Sequence, residues 1–79
     1  MPIVRVFSTP ACPYCHTLKE FLKEHRIEFE DIDVSKAAQA REDMVKGSGQ
    51  MGVPVIAIDD EFIVGFDRAK IVKSLNIKE

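Results

Sequence analysis

Two thiols three residues apart, in the segment Cys12-Pro13-Tyr14-Cys15, are the side chains of this sequence best suited to covalent chemistry. The apolar run at residues 3–7 before them is typical of a strand, and the apolar residues after them recur at helical spacing. Two cysteines separated by two residues, between a strand and a helix of a small chain, are typical of redox proteins. The motif therefore predicts reversible thiol–disulfide exchange.

Cys12 occupies the position where a thiolate is best stabilised. Pro13 suits the first helical turn, whose backbone N–H groups have no intrahelical partner, so Cys12 falls at or next to the N-cap. Those N–H groups and the positive end of the helix dipole favour an anion. We therefore expect the pKa of the Cys12 thiol to lie below the free value of about 8.5, and Cys12 to be the nucleophile.

Cys15 has a different environment. It lies three residues before Leu18 and seven before Leu22, on the apolar side of the helix, so its side chain is expected to point inward. Residues i and i+3 of a helical turn also meet the Cα separation of roughly 4.4–6.8 Å that a disulfide requires. Cys15 is therefore predicted to be the resolving thiol.

Two structural interpretations of the thiols are weaker. A structural disulfide that closes so short a loop would constrain the unfolded chain very little. A zinc site would draw on Cys12, Cys15, His16 and His25, but three of these crowd one turn and the set lacks separated ligand pairs. No metal site is therefore predicted.

The composition indicates a small folded protein. The chain has 79 residues, of which 46% are hydrophobic, and we expect one domain spanning residues 1–79. The net charge of −2 gives no reason to expect nucleic acid or an anionic membrane as a partner. No apolar run approaches the roughly 20 residues of a membrane span.

The sequence also favours a cytoplasmic location. The segment from Met1 to Arg5 lacks the basic start and the apolar stretch of a signal peptide. Two cysteines in an unsecreted chain indicate a reducing compartment, where disulfides are transient and catalytic.

The apolar pattern predicts the order β-α-β-α-β-β-α, a mixed four-stranded sheet with helices on both faces. Ser35 or Asp33 is expected to cap the second helix, Gly47 to end it, and Asp67 to cap the third. The predicted elements are strands at 3–7 and 28–33, helices at 13–26 and 36–46, hairpin strands at 53–58 and 62–64, and a final helix. The expected inward residues of the last two helices are Ala37, Ala40, Met44, Val45, Ile71, Val72 and Leu75.

Three motifs in order resemble the glutaredoxin family of the thioredoxin fold: Cys-Pro-Tyr-Cys after the first strand, Val53-Pro54 opening the third, and Gly65-Phe66-Asp67 after the fourth. The resemblance covers essentially the whole chain and is strongest to NrdH-type redoxins and short glutaredoxin-like proteins. It implies a cis peptide bond between Val53 and Pro54, facing the cysteines. X–Pro bonds reach the cis form at a cost of only about 0.5–1 kcal/mol.

The resemblance implies a dithiol oxidoreductase in which Cys12 attacks a disulfide or a glutathionylated protein and Cys15 resolves the mixed disulfide. It implies a monomer without metal or prosthetic group, reduced by glutathione or by a thioredoxin-reductase-type flavoprotein. We expect a reduction potential of roughly −200 to −230 mV. An extended substrate would pair with the Val53 backbone as an added strand, while Phe66 suits either the groove wall or the core. The implied substrate-binding residues are Tyr14, Val53, Pro54, Phe66 and Asp67.

Departures from the family pattern bear on the electron donor. Thr9 stands where glutaredoxins usually carry a lysine that attracts a glutathione carboxylate. Gly52 replaces the usual threonine before Val-Pro, and Gly65 stands alone where a Gly-Gly pair is common. Arg41 or Lys46 is a candidate to replace the missing cation, although an exposed basic side chain on the second helix is more often part of a solvated face. We therefore expect slow reduction by glutathione and favour a reductase as the donor.

Two other functions fit the fold. An iron–sulfur carrier would share a [2Fe–2S] cluster between two chains through Cys12 and two glutathiones. Relatives with that role resemble Cys-Gly-Phe-Ser at the site, however, and Pro13-Tyr14 would crowd the cluster. A redox-inactive binding module would use the groove at Val53-Pro54 and would bind peptides even without its cysteines.

Overall fold

The structure is a computed structural model that describes residues 3–77, so Met1 and Pro2 of the segment considered as a signal peptide lie outside it. Within this range the elements follow the predicted order. They are β1 (Val4–Ser8), α1 (Pro13–Glu24), β2 (Glu30–Asp33), α2 (Ala38–Ser48), β3 (Val55–Ile58), β4 (Glu61–Val64) and α3 (Arg68–Leu75). None of these helices is long and apolar enough to cross a membrane.

The strands form a mixed sheet in the order β2-β1-β3-β4. β1 and β2 are parallel, because a helix connects them, whereas β3 is antiparallel to both of its neighbours. Val55 of β3 lies opposite Phe7 on one side and Val64 on the other. This register brings the end of β1, the start of β3 and the end of β4 together, and it confirms the predicted fold.

Helices cover both faces of the sheet, because successive residues of a strand point to opposite sides. Val6 of β1 packs on one face with Leu22 of α1 and Ile71 of α3. Phe7 packs on the other face with Met44 of α2. The inward residues predicted for α2 and α3 are all buried or half-buried: Ala37, Ala40, Met44, Val45, Ile71, Val72 and Leu75.

The predicted ends of α2 are wrong. Neither Ser35 nor Asp33 caps the helix: its N-cap is Ala37, which makes no side-chain cap hydrogen bond. Asp33 instead accepts hydrogen bonds from the hydroxyl and the backbone N–H of Ser35, which hold the pKa of its carboxyl below the usual value. At the other end, Gly47 lies inside the helix, and Gly49 takes the left-handed conformation (φ 73°) that ends it.

Gly47 is required by packing rather than by helix termination. A Cβ atom at this position would overlap the ring of Phe62 on β4. That ring is stacked on Phe7, with centroids 6.1 Å apart, and the Arg5 guanidinium lies 5.9 Å from its centroid. The absence of a side chain at Gly47 therefore lets α2 approach the ring of Phe62, whose position is also fixed by Phe7 and Arg5.

The hairpin is tighter than predicted. β3 starts at Val55 rather than Val53, and Glu61 belongs to β4 rather than to the turn. Asp59 adopts a left-handed conformation (φ 53°), which aspartate tolerates better than most residues, and the turn needs only two residues.

Asp67 caps α3 as predicted, since its carboxylate accepts a hydrogen bond from the backbone N–H of Lys70 at 3.2 Å. Loss of an N-cap side chain typically costs about 0.5–2 kcal/mol. We therefore expect Asp67→Ala to lower the free energy of unfolding by about 1 kcal/mol in urea titrations. Asp67→Asn keeps a capping oxygen and is the control; equal losses in the two variants would contradict the role of the cap.

Candidate active site

Cys12 is the N-cap residue of α1. Its backbone is extended (φ −95°, ψ 110°), and its sulfur accepts a hydrogen bond from the backbone N–H of Cys15 at 3.1 Å. Pro13 follows in the first turn, as predicted. The Cys12 N–H donates to the carbonyl of Thr9 at 3.3 Å, which closes the turn between β1 and α1. The Cys12 sulfur therefore lies at the helix end that stabilises negative charge.

Cys12 and Cys15 form a disulfide, with their Cα atoms 5.2 Å apart. Cys15 is fully buried, whereas Cys12 is partly exposed. Of the two sulfur-bearing side chains, only that of Cys12 is therefore open to solvent. The described residues contain no cluster of three or more His, Cys, Asp or Glu that could hold a metal ion.

The Val53-Pro54 segment lies at the same end of the sheet as the thiols. Val55 pairs with Phe7, so Pro54 falls level with Ser8, the last residue of β1, and Val53 lies beyond the end of that strand. The peptide bond between Val53 and Pro54 is cis, as the resemblance implied. The N–H of Gly65 donates to the carbonyl of Pro54 at 2.8 Å, which fastens the β4–α3 loop to this segment. Among residues 3–77, no hydrogen bond occupies the backbone of Val53.

The ring side chains near the thiols occupy different environments. Tyr14, between the cysteines, is 70% exposed, so it lies at the rim of the site and not in the core. Phe66 is half-buried and its ring centroid is 5.4 Å from that of Phe21, which places it at the edge of the core. His25 packs on the same ring at 4.5 Å, whereas His16 is exposed on α1.

A polar network beside the loop that leads to the thiols was not predicted. The hydroxyl of Ser8, a buried residue, donates to Asp31 at 2.9 Å, and Lys19 pairs with the other oxygen of that carboxylate at 3.1 Å. These residues line a cavity of about 280 Å³ together with Thr9 and Pro10. Lys19 lies on α1, four residues after Cys15. Its partner, Asp31, lies on β2 and could be identified only once β2 was seen to pair in parallel with β1.

Arg41 and Lys46, the candidate substitutes for the missing cation, share an open groove on α2. The connector is the segment of residues 49–52 between α2 and Val53. Met51, in this connector, lies in the same groove. The structure thus groups both cations with the connector. Thr9 lines the separate cavity of the polar network.

The comparisons with known proteins agree on one family. The Glutaredoxin family model matches residues 4–63. An uncharacterized glutaredoxin-like 8.6 kDa protein in the rubredoxin operon of Clostridium pasteurianum is 46% identical over 71 residues, which cover 90% of this chain and 95% of that protein. Glutaredoxin 3 of Escherichia coli strain K12 is 37% identical over 67 residues, or 85% of this chain and 81% of the relative.

The similarity extends to three-dimensional structure. The crystal structure of a mutant of the thioredoxin-like protein BC3987 matches with a TM-score of 0.90 and 36% identity, over 99% of this chain and 100% of that one. The match of the family model, the relatives and the fold all indicate thiol–disulfide oxidoreductase activity in general. This chain belongs to the glutaredoxin family.

Proposed function

We propose that this glutaredoxin reduces protein or low-molecular-weight disulfides through the dithiol of Cys12 and Cys15. The observation that carries the proposal is the asymmetry of the pair. A partly exposed thiol at a helix N-cap stands next to a fully buried one, with Cα atoms 5.2 Å apart. One thiol can meet a substrate while the other is reserved for the second step.

The reaction proceeds by two exchanges of a sulfur–sulfur bond. The Cys12 thiolate attacks a sulfur of the substrate disulfide, whose other sulfur leaves and takes up a proton. Cys15 then loses its proton and attacks the Cys12 sulfur, which breaks the mixed disulfide and releases the second substrate thiol. Two electrons pass to the substrate, and a donor returns two electrons to the Cys12–Cys15 disulfide.

The surroundings of Cys12 suit an extended substrate. The open N–H and C=O of Val53 can pair with an added chain, next to the cis bond to Pro54. Tyr14 offers an exposed ring at the rim, and the half-buried Phe66 lines a cavity with Thr17 of α1. The N-terminus of α3, which starts after Asp67, favours a carboxylate of the substrate.

The electron donor proposed here is a thioredoxin-reductase-type flavoprotein rather than glutathione. Thr9 supplies no positive charge, and Lys19, which lines the same cavity, already pairs with Asp31 at 3.1 Å. A charge-assisted hydrogen bond is typically worth about 1.5–3 kcal/mol. Its absence corresponds to roughly one to two orders of magnitude in glutathione affinity.

NADPH oxidation coupled to reduction of 2-hydroxyethyl disulfide tests both statements. We expect faster turnover with thioredoxin reductase alone than with glutathione plus glutathione reductase. Efficient turnover through glutathione would contradict the proposed donor. No turnover with either donor, or with dithiothreitol, would contradict the proposed function.

Thr9→Lys tests the reason for slow reduction by glutathione. The added ammonium group should raise the rate of glutathione-driven turnover by about tenfold or more, because it restores one charge-assisted contact. Thr9→Met, which has similar length and no charge, is the matched control and should leave the rate unchanged. Equal rates in the two variants would contradict the role of the missing charge.

A further inference from the structure

An open groove runs along α2 beside the connector that leads to Val53. We name it the α2 groove, and it is lined by Arg41, Glu42, Val45, Lys46 and Met51. Its volume is about 300 Å³, at the lower end of the range of about 300–1,000 Å³ for pockets that hold ligands. It is therefore large enough for one or two side chains of a partner.

The floor of the α2 groove is apolar. Met51 is 64% exposed although it is a large hydrophobic residue, and it lies next to the half-buried Val45. A single exposed apolar residue is ordinary, but here it forms part of a concave surface. Methionine is flexible and polarizable, and it is common on surfaces that receive varied side chains. The floor thus suits an aliphatic side chain.

The rim of the α2 groove is mainly basic. Arg41 and Lys46 are both exposed, and within residues 3–77 neither side chain takes part in an ion pair. On α1, by contrast, Lys19 and Lys23 each lie within 4 Å of a carboxylate. Glu42 supplies the one negative charge in the groove lining. The groove is therefore locally positive in a chain whose net charge is −2.

We propose that the α2 groove docks an acidic, aliphatic segment of a protein disulfide substrate. An aliphatic side chain rests on Val45 and Met51, and flanking carboxylates pair with Arg41 and Lys46. The connector continues from Met51 into Val53 two residues later, so a segment in the groove can extend to the thiols. This inference rests on the proposed function, because it assigns a substrate class to the same reaction.

Two synthetic peptides test the preference. Each carries one cysteine as a mixed disulfide with 2-mercaptoethanol, flanked on both sides by leucine; further residues are glutamates in one peptide and lysines in the other. With dithiothreitol as the donor, we expect kcat/KM to be about tenfold higher for the acidic peptide at low ionic strength, mainly through KM. The advantage should shrink as salt is added. Equal values for the two peptides would overturn the proposal.

Charge reversal locates the preference. Arg41→Glu combined with Lys46→Glu should abolish or invert it. Lys23→Glu combined with Lys73→Glu makes the same change of charge toward the far ends of α1 and α3, and should preserve it. A preference that survives the first pair, or that is lost equally in the second, would overturn the proposal.

Two further measurements separate the possible failures. Met51→Ser should slow reduction of the acidic peptide more than that of a version with alanine in place of leucine; equal effects would contradict the apolar floor. If Arg41→Glu combined with Lys46→Glu slows only the reduction of the protein by glutathione, the groove binds glutathione and the proposal is overturned. Failure of the wild-type protein to reduce 2-hydroxyethyl disulfide would refute the proposed function itself, whereas turnover without a peptide preference refutes only the docking.

Discussion

Cys12→Ser is expected to abolish reduction of 2-hydroxyethyl disulfide, with a fall in rate on the order of 10³-fold or more. A serine hydroxyl does not ionise near neutral pH and forms no bond that a second thiol can exchange, so neither half of the reaction remains. Circular dichroism should show an unchanged fold, because Cys12 is partly exposed and serine is also a good N-cap residue. Activity comparable to that of the wild type would show that the nucleophile is assigned wrongly.

Cys15→Ser is the matched comparison, since it makes the same atomic change three residues away. Without the resolving thiol, the mixed disulfide between Cys12 and a protein substrate should accumulate, and mass spectrometry of the intact protein detects the adduct. Activity on glutathionylated substrates should persist in part, because free glutathione can resolve the intermediate. An adduct that forms in Cys12→Ser, on Cys15, would reverse the two roles.

The order of the elements and the start of α1, which carries the thiols, could be predicted from the sequence, because local signals there agree with the fold. Pro13 suits only the first turn of α1, and the helical spacing of Leu18 and Leu22 sets the inward side on which Cys15 lies. Asp67 likewise had one clear role as a cap. At these positions one residue type satisfies one local requirement.

The start of α2 could not be predicted, because two local structures compete for the same side chain. Asp33 can cap a helix or accept hydrogen bonds from Ser35 two residues later, and it does the latter. The network of Ser8, Lys19 and Asp31 was out of reach for another reason. It joins three elements, and its partners become neighbours only through the register of β1 with β2.

Gly47 is the position where local reasoning fails most clearly, since a glycine near the end of an apolar pattern usually ends the helix. Inside a helix, glycine to alanine normally stabilises by roughly 1 kcal/mol, because alanine has the higher helix propensity. Here the new methyl group would overlap the ring of Phe62. The stacking of that ring on Phe7 and the cation above it, Arg5, limit its escape.

We therefore expect Gly47→Ala to destabilise the protein. Overpacking typically costs about 1–3 kcal/mol; after the gain in propensity of roughly 1 kcal/mol, a net loss of up to about 2 kcal/mol remains. For a chain of this length, that loss corresponds to a fall in Tm of roughly 4–8 °C for each kcal/mol. Thermal unfolding of the reduced protein, followed by circular dichroism, measures it.

The double variant with Phe62→Leu decides whether the ring is the cause. In the Phe62→Leu background the overlap is relieved, so adding Gly47→Ala should become neutral or stabilising, as helix propensity alone would predict. The two substitutions should thus be coupled by more than the roughly 0.3–0.5 kcal/mol within which independent sites add. If Gly47→Ala raises the Tm of the otherwise unchanged protein, the close approach of α2 to Phe62 does not constrain this helix.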